Sequence, residues 1–268
     1  MIDRVGQLLR EVAATVVMPR FASLLPHQTM MKSANEPVTI ADREAETHIA
    51  SALSAFVPGS RVVGEEAGSA DATLLEGLSE GTVWIVDPID GTANFAAGRG
   101  PFAMMVALLR HGETVGSWIY DPQHDRLAMA ERGAGAWIGG ERLTARPASD
   151  SASQWHGIVS RAFVPEDGLD RIDRVCAFVG RADATARCAG FEYPLVANGH
   201  RQFALYWRTL VWDHAPGALL VSEAGGSVVH LDGSPYSPVI SRSGLLVAQD
   251  PSVAARLLGL GPGPLADD

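Results

Sequence analysis

Apolar positions recur at helical spacing from the start of the chain. Val5, Leu8, Leu9, Val12, Ala13, Val16 and Val17 form one stripe, which predicts an amphipathic helix ending near Pro19. A short helical piece over 21–25 follows, then a loop over 30–37 with Lys32 and Asn35 in solvent. The next helix opens at Asp42, a good N-cap, and buries Ala45, Ile49, Ala52, Leu53 and Phe56. Pro58 and Gly59 stop it. Residues 61–64 read as a short strand delivering Glu65 and Glu66, and 70–80 as a polar connection with a weak helical turn.

At Val83-Trp84-Ile85-Val86 the polar positions vanish, as in a strand buried on both faces. After a loop over 95–102, strands over 102–109 and 114–120 flank a turn at His111-Gly112. Strands over 127–131 and 133–137 extend the meander to a tight turn at Gly139-Gly140. The small and polar run 147–153 marks a boundary. Beyond it the pattern alternates: strand 155–160, helix 168–179, strand 182–187, helix 191–198, strand 203–206 and helix 212–223, which Gly225-Gly226 ends. Strands 228–231 and 245–248, a helix over 251–258 and a loose tail complete it. The reading is an α+β chain of stacked sheets and helices, one domain over 1–268 built from two fused halves, 1–146 and 147–268, that share a cleft.

The 268 residues carry 21 Lys and Arg against 31 Asp and Glu, a formal charge of -10, which disfavours a nucleic-acid backbone or an anionic membrane as partner. It does not disfavour a small phosphate, because bound metals invert the local field. Two cysteines, Cys176 and Cys188, and the lack of a signal-peptide pattern fit a cytoplasmic protein.

The chemistry gathers after the buried strand, in Asp87-Pro88-Ile89-Asp90-Gly91-Thr92-Ala93-Asn94. Pro88 and Gly91 make this a rigid turn. Two carboxylates held together there need a counter-ion or a proton. The alternative is an Asx-turn that merely ends a strand. Glu65 arrives at another strand end, and Asp213 lies at the mouth of a helix, where it also fits as an N-cap. No histidine or cysteine spacing suits zinc, so an all-oxygen set with the Ile89 carbonyl points to magnesium, with manganese as a substitute.

Residues 82–95, TVWIVDPIDGTANF, resemble the first signature of the inositol monophosphatase family, metal-dependent phosphatases of sugars and polyols. Residues 63–66 resemble its Gly-Glu-Glu segment, and 212–215 through 223–226 its second signature. The likeness extends over roughly residues 5–260. It implies a layered αβαβα sandwich of the fructose-1,6-bisphosphatase-like sugar phosphatase fold. It also implies two Mg²⁺ ions on Glu65, Asp87, Ile89, Asp90 and Asp213, with a third held weakly near Glu65. Asp42 and Thr92 would polarise the attacking water, with Glu65 in the same catalytic set. The N–H groups of Gly91, Thr92 and Ala93 would hold the phosphate. Lys32 would lie near the metals rather than in solvent, and Glu66 beside them or solvated. Ala189 would line the substrate pocket together with Asp213. A homodimer and sensitivity to lithium follow from the same resemblance.

Thr92-Ala93-Asn94-Phe95 is closer to the family's inositol phosphatase form than to the form that acts on 3'-phosphoadenosine nucleotides. Yet Tyr206 stands where inositol-specific members carry a glutamate, and a tyrosine cannot accept hydrogen bonds as a carboxylate does. Arg208 either faces an anionic or zwitterionic substrate or, like Tyr206, covers apolar surface or meets a partner subunit. The expected activity is hydrolysis of inositol monophosphate or a similar polyol or sugar phosphate. Histidinol phosphate and 3'(2'),5'-bisphosphate nucleotides are the alternatives. A non-catalytic metal- or phosphate-binding protein is the reading from another class, and it has no use for an Asp42–Thr92 pair.

Overall fold

The computed structural model describes residues 2–33, 36–144 and 146–261. Helix α1 (Ile2–Val12) buries Val5, Leu9 and Val12, then widens into a π turn (Ala13–Val17) and tightens into a 3₁₀ turn (Met18–Arg20) around Pro19. The short helix expected over 21–25 is absent. Phe21 is extended instead, with its ring 5.8 Å from Phe95 and 5.0 Å from Phe102. The expected loop over 30–37 is a hairpin, with β1 (Thr29–Ser33) antiparallel to β2 (Glu36–Thr39). Its sequence lacks strand alternation because distant partners tether it: Lys32 binds Glu65 and Glu66, and Glu36 binds Arg208. Asn35 lies outside the described residues.

Helix α2 (Ile40–Phe56) starts before Asp42, and Thr39 is its N-cap. Asp42 occupies the third helical position and closes a capping box by accepting the Thr39 N–H at 2.8 Å. Next come β3 (Arg61–Gly64), α3 (Glu65–Ala70), β4 (Thr82–Asp90), α4 (Thr92–Ala96) and β5 (Ala103–Arg110). The meander β6 (Glu113–Asp121), β7 (Arg126–Glu131), β8 (Gly135–Ile138) and β9 (Glu141–Arg142) follows. These strands form a seven-stranded sheet in sequence order from β3 to β9, parallel only between β3 and β4.

The second half runs β10 (His156–Val159), α5 (Glu166–Phe178), β11 (Arg181–Ala184), α6 (Ala189–Ala197), β12 (Phe203–Tyr206) and α7 (Val211–Glu223). It ends with β13 (Ser227–His230), β14 (Leu245–Ala248) and α8 (Pro251–Leu258). Its five-stranded sheet has the order β11-β10-β12-β14-β13, with β11, β10 and β12 parallel. Both thiols, Cys176 and Cys188, are free.

Burial explains the stacking. Helix α7 is apolar around nearly its whole circumference, so it has to be covered on two sides. One core joins Met105, Ile119 and Ala130 of the first sheet to Ala204, Leu245 and Val247 of the second, across α6 and α7. Helices α1 and α2 cover the outer face of the first sheet, and α5 and α8 that of the second. The result is a five-layer αβαβα stack.

Close approach of α6 to α7 depends on Gly217. A Cβ there would sit 2.1 Å from the Tyr193 ring. Gly217→Ala is therefore expected to destabilise by about 1–3 kcal/mol through overpacking, although alanine favours helix. Thermal denaturation checks this: a melting temperature equal to or above wild type would contradict the packing.

Candidate active site

Asp87 and Asp90 do not follow β4 as a turn but remain within it. Between them the ladder slips: Asp87 pairs with Met105, whereas Asp90 pairs with Ala103. Side chains three apart on a regular strand point to opposite faces. The extra residue of this bulge cancels that alternation and accommodates Pro88, which has no N–H to give. Asp87 Oδ1 accepts the Ile89 N–H at 3.1 Å. Gly91 then turns left-handed, with φ 87°, and a Cβ on it would meet the Pro101 carbonyl at 2.9 Å. Thr92 begins α4 directly after it.

Asp90 also fastens the second half. Its Oδ2 accepts the Gly190 N–H at 2.6 Å, and the Cys188 thiol donates to its main-chain oxygen at 3.6 Å. Ala189, the expected pocket residue, is thereby brought beside the end of β4 as the first residue of α6.

Thr92 Oγ1 lies 3.1 Å from Asp42 Oδ1 and 2.8 Å from the Ile89 carbonyl. A hydroxyl has one proton, so it donates to only one of these oxygens. With Asp42 neutral, the carboxyl donates to Thr92, which donates to Ile89. With Asp42 ionised, Thr92 turns to the carboxylate and frees the Ile89 carbonyl. Burial pushes Asp42 up to about 7, against the two hydrogen bonds from Thr39.

Glu65 and Glu66 open α3 rather than closing a strand. Lys32 Nζ donates to both, at 2.7 and 2.9 Å, so neither Lys32 nor Glu66 is simply solvated. Glu46 accepts the N–H groups of Glu66 and Ala67 at 2.7 and 3.0 Å and fixes the start of that helix. Asp213 is the third residue of α7, whose N-cap is Leu210, so it is not the cap. Its side chain keeps a partly open edge.

The four expected ligands act on one another. Burial raises the Asp87 carboxyl well above the usual range, and Glu65, Asp90 and Asp213 push it further. Burial, then Asp90 and Glu65, raise Asp213 likewise. Burial pushes Asp90 up to about 7. Among the described residues, no three acidic, histidine or cysteine side chains stand ready-made around one ion. The donor set nonetheless fits hard divalent ions: it is all oxygen, mutually repelling, and touched by the single ammonium of Lys32.

Tyr206 is buried, and its hydroxyl is already engaged, donating to Glu192 Oε2 at 2.7 Å. Its ring stacks on Tyr193, with centroids 5.8 Å apart. Glu192 also accepts Thr185 Oγ1 at 2.7 Å and the Ala186 N–H at 2.6 Å. His214 Nε2 donates to the Arg208 carbonyl at 3.0 Å, so its Nδ1 accepts the Tyr193 hydroxyl at 2.9 Å. Burial holds this neutral imidazole down at about 4. Arg208 pairs with Glu36 across the two halves and lies 4.0 Å over the Phe163 ring.

These layers, with acidic groups at the end of an interior strand, define a sugar-phosphatase-type α/β scaffold. The chain belongs to the inositol monophosphatase family, whose model matches residues 2–260. An inositol-1-monophosphatase of Caulobacter vibrioides is 34% identical over 250 residues, covering 88% of this chain and 93% of that one. A histidinol-phosphatase of Mycobacterium tuberculosis is 35% identical over 203 residues, covering 74% and 75%. The crystal structure of the extragenic suppressor protein suhB from Bartonella henselae superposes with a TM-score of 0.79 at 26% identity, covering 98% and 95%. Among the described residues no helix is long and apolar enough to cross a membrane.

Proposed function

We propose that the protein hydrolyses a small phosphomonoester in a Mg²⁺-dependent reaction, the two halves acting as one catalytic domain around a shared cleft. The observation that carries this reading is the Asp42–Thr92 contact set directly beside the buried carboxylates of β4. Glu65, Asp87, Asp90, Asp213 and the Ile89 carbonyl would hold two magnesium ions, with manganese as a substitute and a third ion weakly held near Glu65. Bound there, the ions supply positive charge to the phosphate and orient water.

The chain's own groups do the rest. With Asp42 ionised, Thr92 donates to it and presents its oxygen lone pairs to the attacking water, so the pair acts as a general base. Glu65 belongs to the same catalytic group. The leading N–H groups of α4 lie outside its helical ladder, so Gly91, Thr92 and Ala93 offer donors to phosphate. Ala189 leaves room for the alcohol, and Asp213 faces it. Lys32 holds Glu65 and Glu66 in place.

The alcohol is a polyol, as in inositol monophosphate, or the amino alcohol of histidinol phosphate. The second reading is favoured by the Tyr206–Glu192 bond, which leaves no free carboxylate for sugar hydroxyls at that wall. A homodimer in the cytoplasm is the form proposed; the two free thiols suit that reducing compartment.

Phosphate release from inositol 1-phosphate, histidinol phosphate, glycerol 2-phosphate and adenosine 3',5'-bisphosphate tests the proposal. Turnover with Mg²⁺ that falls to background in EDTA and is competed by Li⁺ is expected. Equal turnover in EDTA, or none on any ester with Mg²⁺, would overturn it.

A further inference from the structure

Strands β10 and β12 run parallel, so their carboxyl ends open on the same side of the second sheet. Ligands of open α/β sheets bind outside such ends. The segment after β10 carries Phe163, and the one after β12 carries Arg208. Arg208 lies at the carboxylate group: its main-chain oxygen is held by His214, the neighbour of Asp213, and its guanidinium by Glu36 of the hairpin whose Lys32 binds Glu65.

Phe163 is unusual on two counts. Its backbone is left-handed, φ 64°, a region that bulky residues rarely occupy. Its side chain stays 60% exposed, so burial does not account for it. The ring is nevertheless held in place, with the Arg208 guanidinium 4.0 Å from its centroid and Glu36 anchoring that guanidinium in turn. A planar cation on one face of an aromatic ring leaves the ring available for offset stacking. Strain at a residue that gains little from burial is characteristic of ligand contacts.

The wall nearby is closed to sugar hydroxyls. Glu192 is buried and already accepts three hydrogen bonds, from Thr185, Ala186 and Tyr206, and the Tyr206 proton is spent on it. What the cleft offers an alcohol here is an aromatic edge and a delocalised cation.

We propose that Phe163 and Arg208 form the leaving-group wall of the cleft and select phosphate esters of alcohols bearing a planar aromatic ring over polyol phosphates. This rests on the phosphomonoesterase reading above and names its substrate class. The ring is a nucleobase or an imidazole, which share the flat π face that the wall recognises.

Matched esters separate these outcomes. Adenosine 2'-monophosphate and glycerol 2-phosphate are both secondary alkyl esters. Histidinol phosphate and glycerol 1-phosphate are both primary. The wild type is expected to give a higher kcat/KM for the ring-bearing member of at least one pair, and the leading pair identifies the ring. In Phe163→Ala that ratio should fall about five- to tenfold, the scale of one aromatic stack. Arg208→Lys, which keeps the charge and loses the plane, should lower it in the same direction. A wild type that prefers both glycerol esters overturns the proposal, as does a ratio that neither variant moves. A Phe163→Ala protein whose oligomeric state changes while the ratio holds assigns the ring to a subunit interface and equally overturns it. Absence of Mg²⁺-dependent release from all four esters rejects the phosphatase reading itself.

Discussion

Asp90→Asn is expected to lower kcat/KM by roughly a hundred- to a thousandfold, the scale of removing one electrostatic stabiliser from a reacting centre. The fold should survive. An asparagine oxygen can still accept the Gly190 N–H that ties α6 to the end of β4. Pairing on either side of the bulge, at Met105 and Ala103, uses main-chain atoms only. The substitution also removes a charge that raises Asp87 and Asp213, so the metal-free protein should lose no stability at neutral pH. Steady-state kinetics beside a melting curve separates the two effects. An Asp90→Asn protein that turns over at the wild-type rate would remove Asp90 from the mechanism, and with it the proposed pairing of Asp87 and Asp90. Asp90→Ala is the less informative variant, because it also breaks the Gly190 bond.

The parts of this molecule that were legible in its sequence are those set by burial. The run at Val83–Val86 reads as a central strand because no polar residue interrupts it, and the apolar α7 reads as a helix that needs two covers. The parts that were not legible depend on partners far along the chain. The β1–β2 hairpin has no strand pattern because Lys32 and Glu36 are its anchors. Glu46 sits among polar neighbours and Glu192 between two aromatic residues, and neither run marks a carboxylate that gathers a site. Each is enclosed only when remote N–H and O–H groups converge on it. Pro88 read as part of a turn after the strand; that it lies inside β4 on a bulge, which cancels the alternation between Asp87 and Asp90, needed the register. Asp42 and Asp213 both looked like helix caps. Both occupy the third helical position instead: Asp42 closes the capping box of its own helix with one oxygen and meets Thr92, just past β4, with the other, and Asp213 lies near enough to Asp87 to raise its carboxyl.

The same carboxylates predict how stability should respond to pH and metal. Burial pushes Asp42 and Asp90 up to about 7, and raises Asp87 and Asp213 as well, from unfolded values near 3.8. A carboxyl whose pKa is raised on folding contributes stability below the unfolded pKa, and that contribution is lost as pH rises through the folded one. The metal-free protein should therefore be less stable at pH 8 than at pH 5. A tenfold difference in proton affinity between the folded and unfolded chain corresponds to about 1.4 kcal/mol. Since the charges interact, a combined loss of several kcal/mol is expected, or on the order of 5–10 °C in melting temperature for a chain of this size. Magnesium should reverse the loss where the carboxylates are ionised. At about a hundred times its dissociation constant a ligand of the folded state adds about 2.7 kcal/mol. At pH 5 protons compete for the same oxygens and the gain should shrink. Melting curves in EDTA and in MgCl₂ across that range give both comparisons. A metal-free protein that grows more stable from pH 5 to pH 8, with no response to Mg²⁺ at the upper end, would show that these acidic groups do not form a charge-loaded ion site.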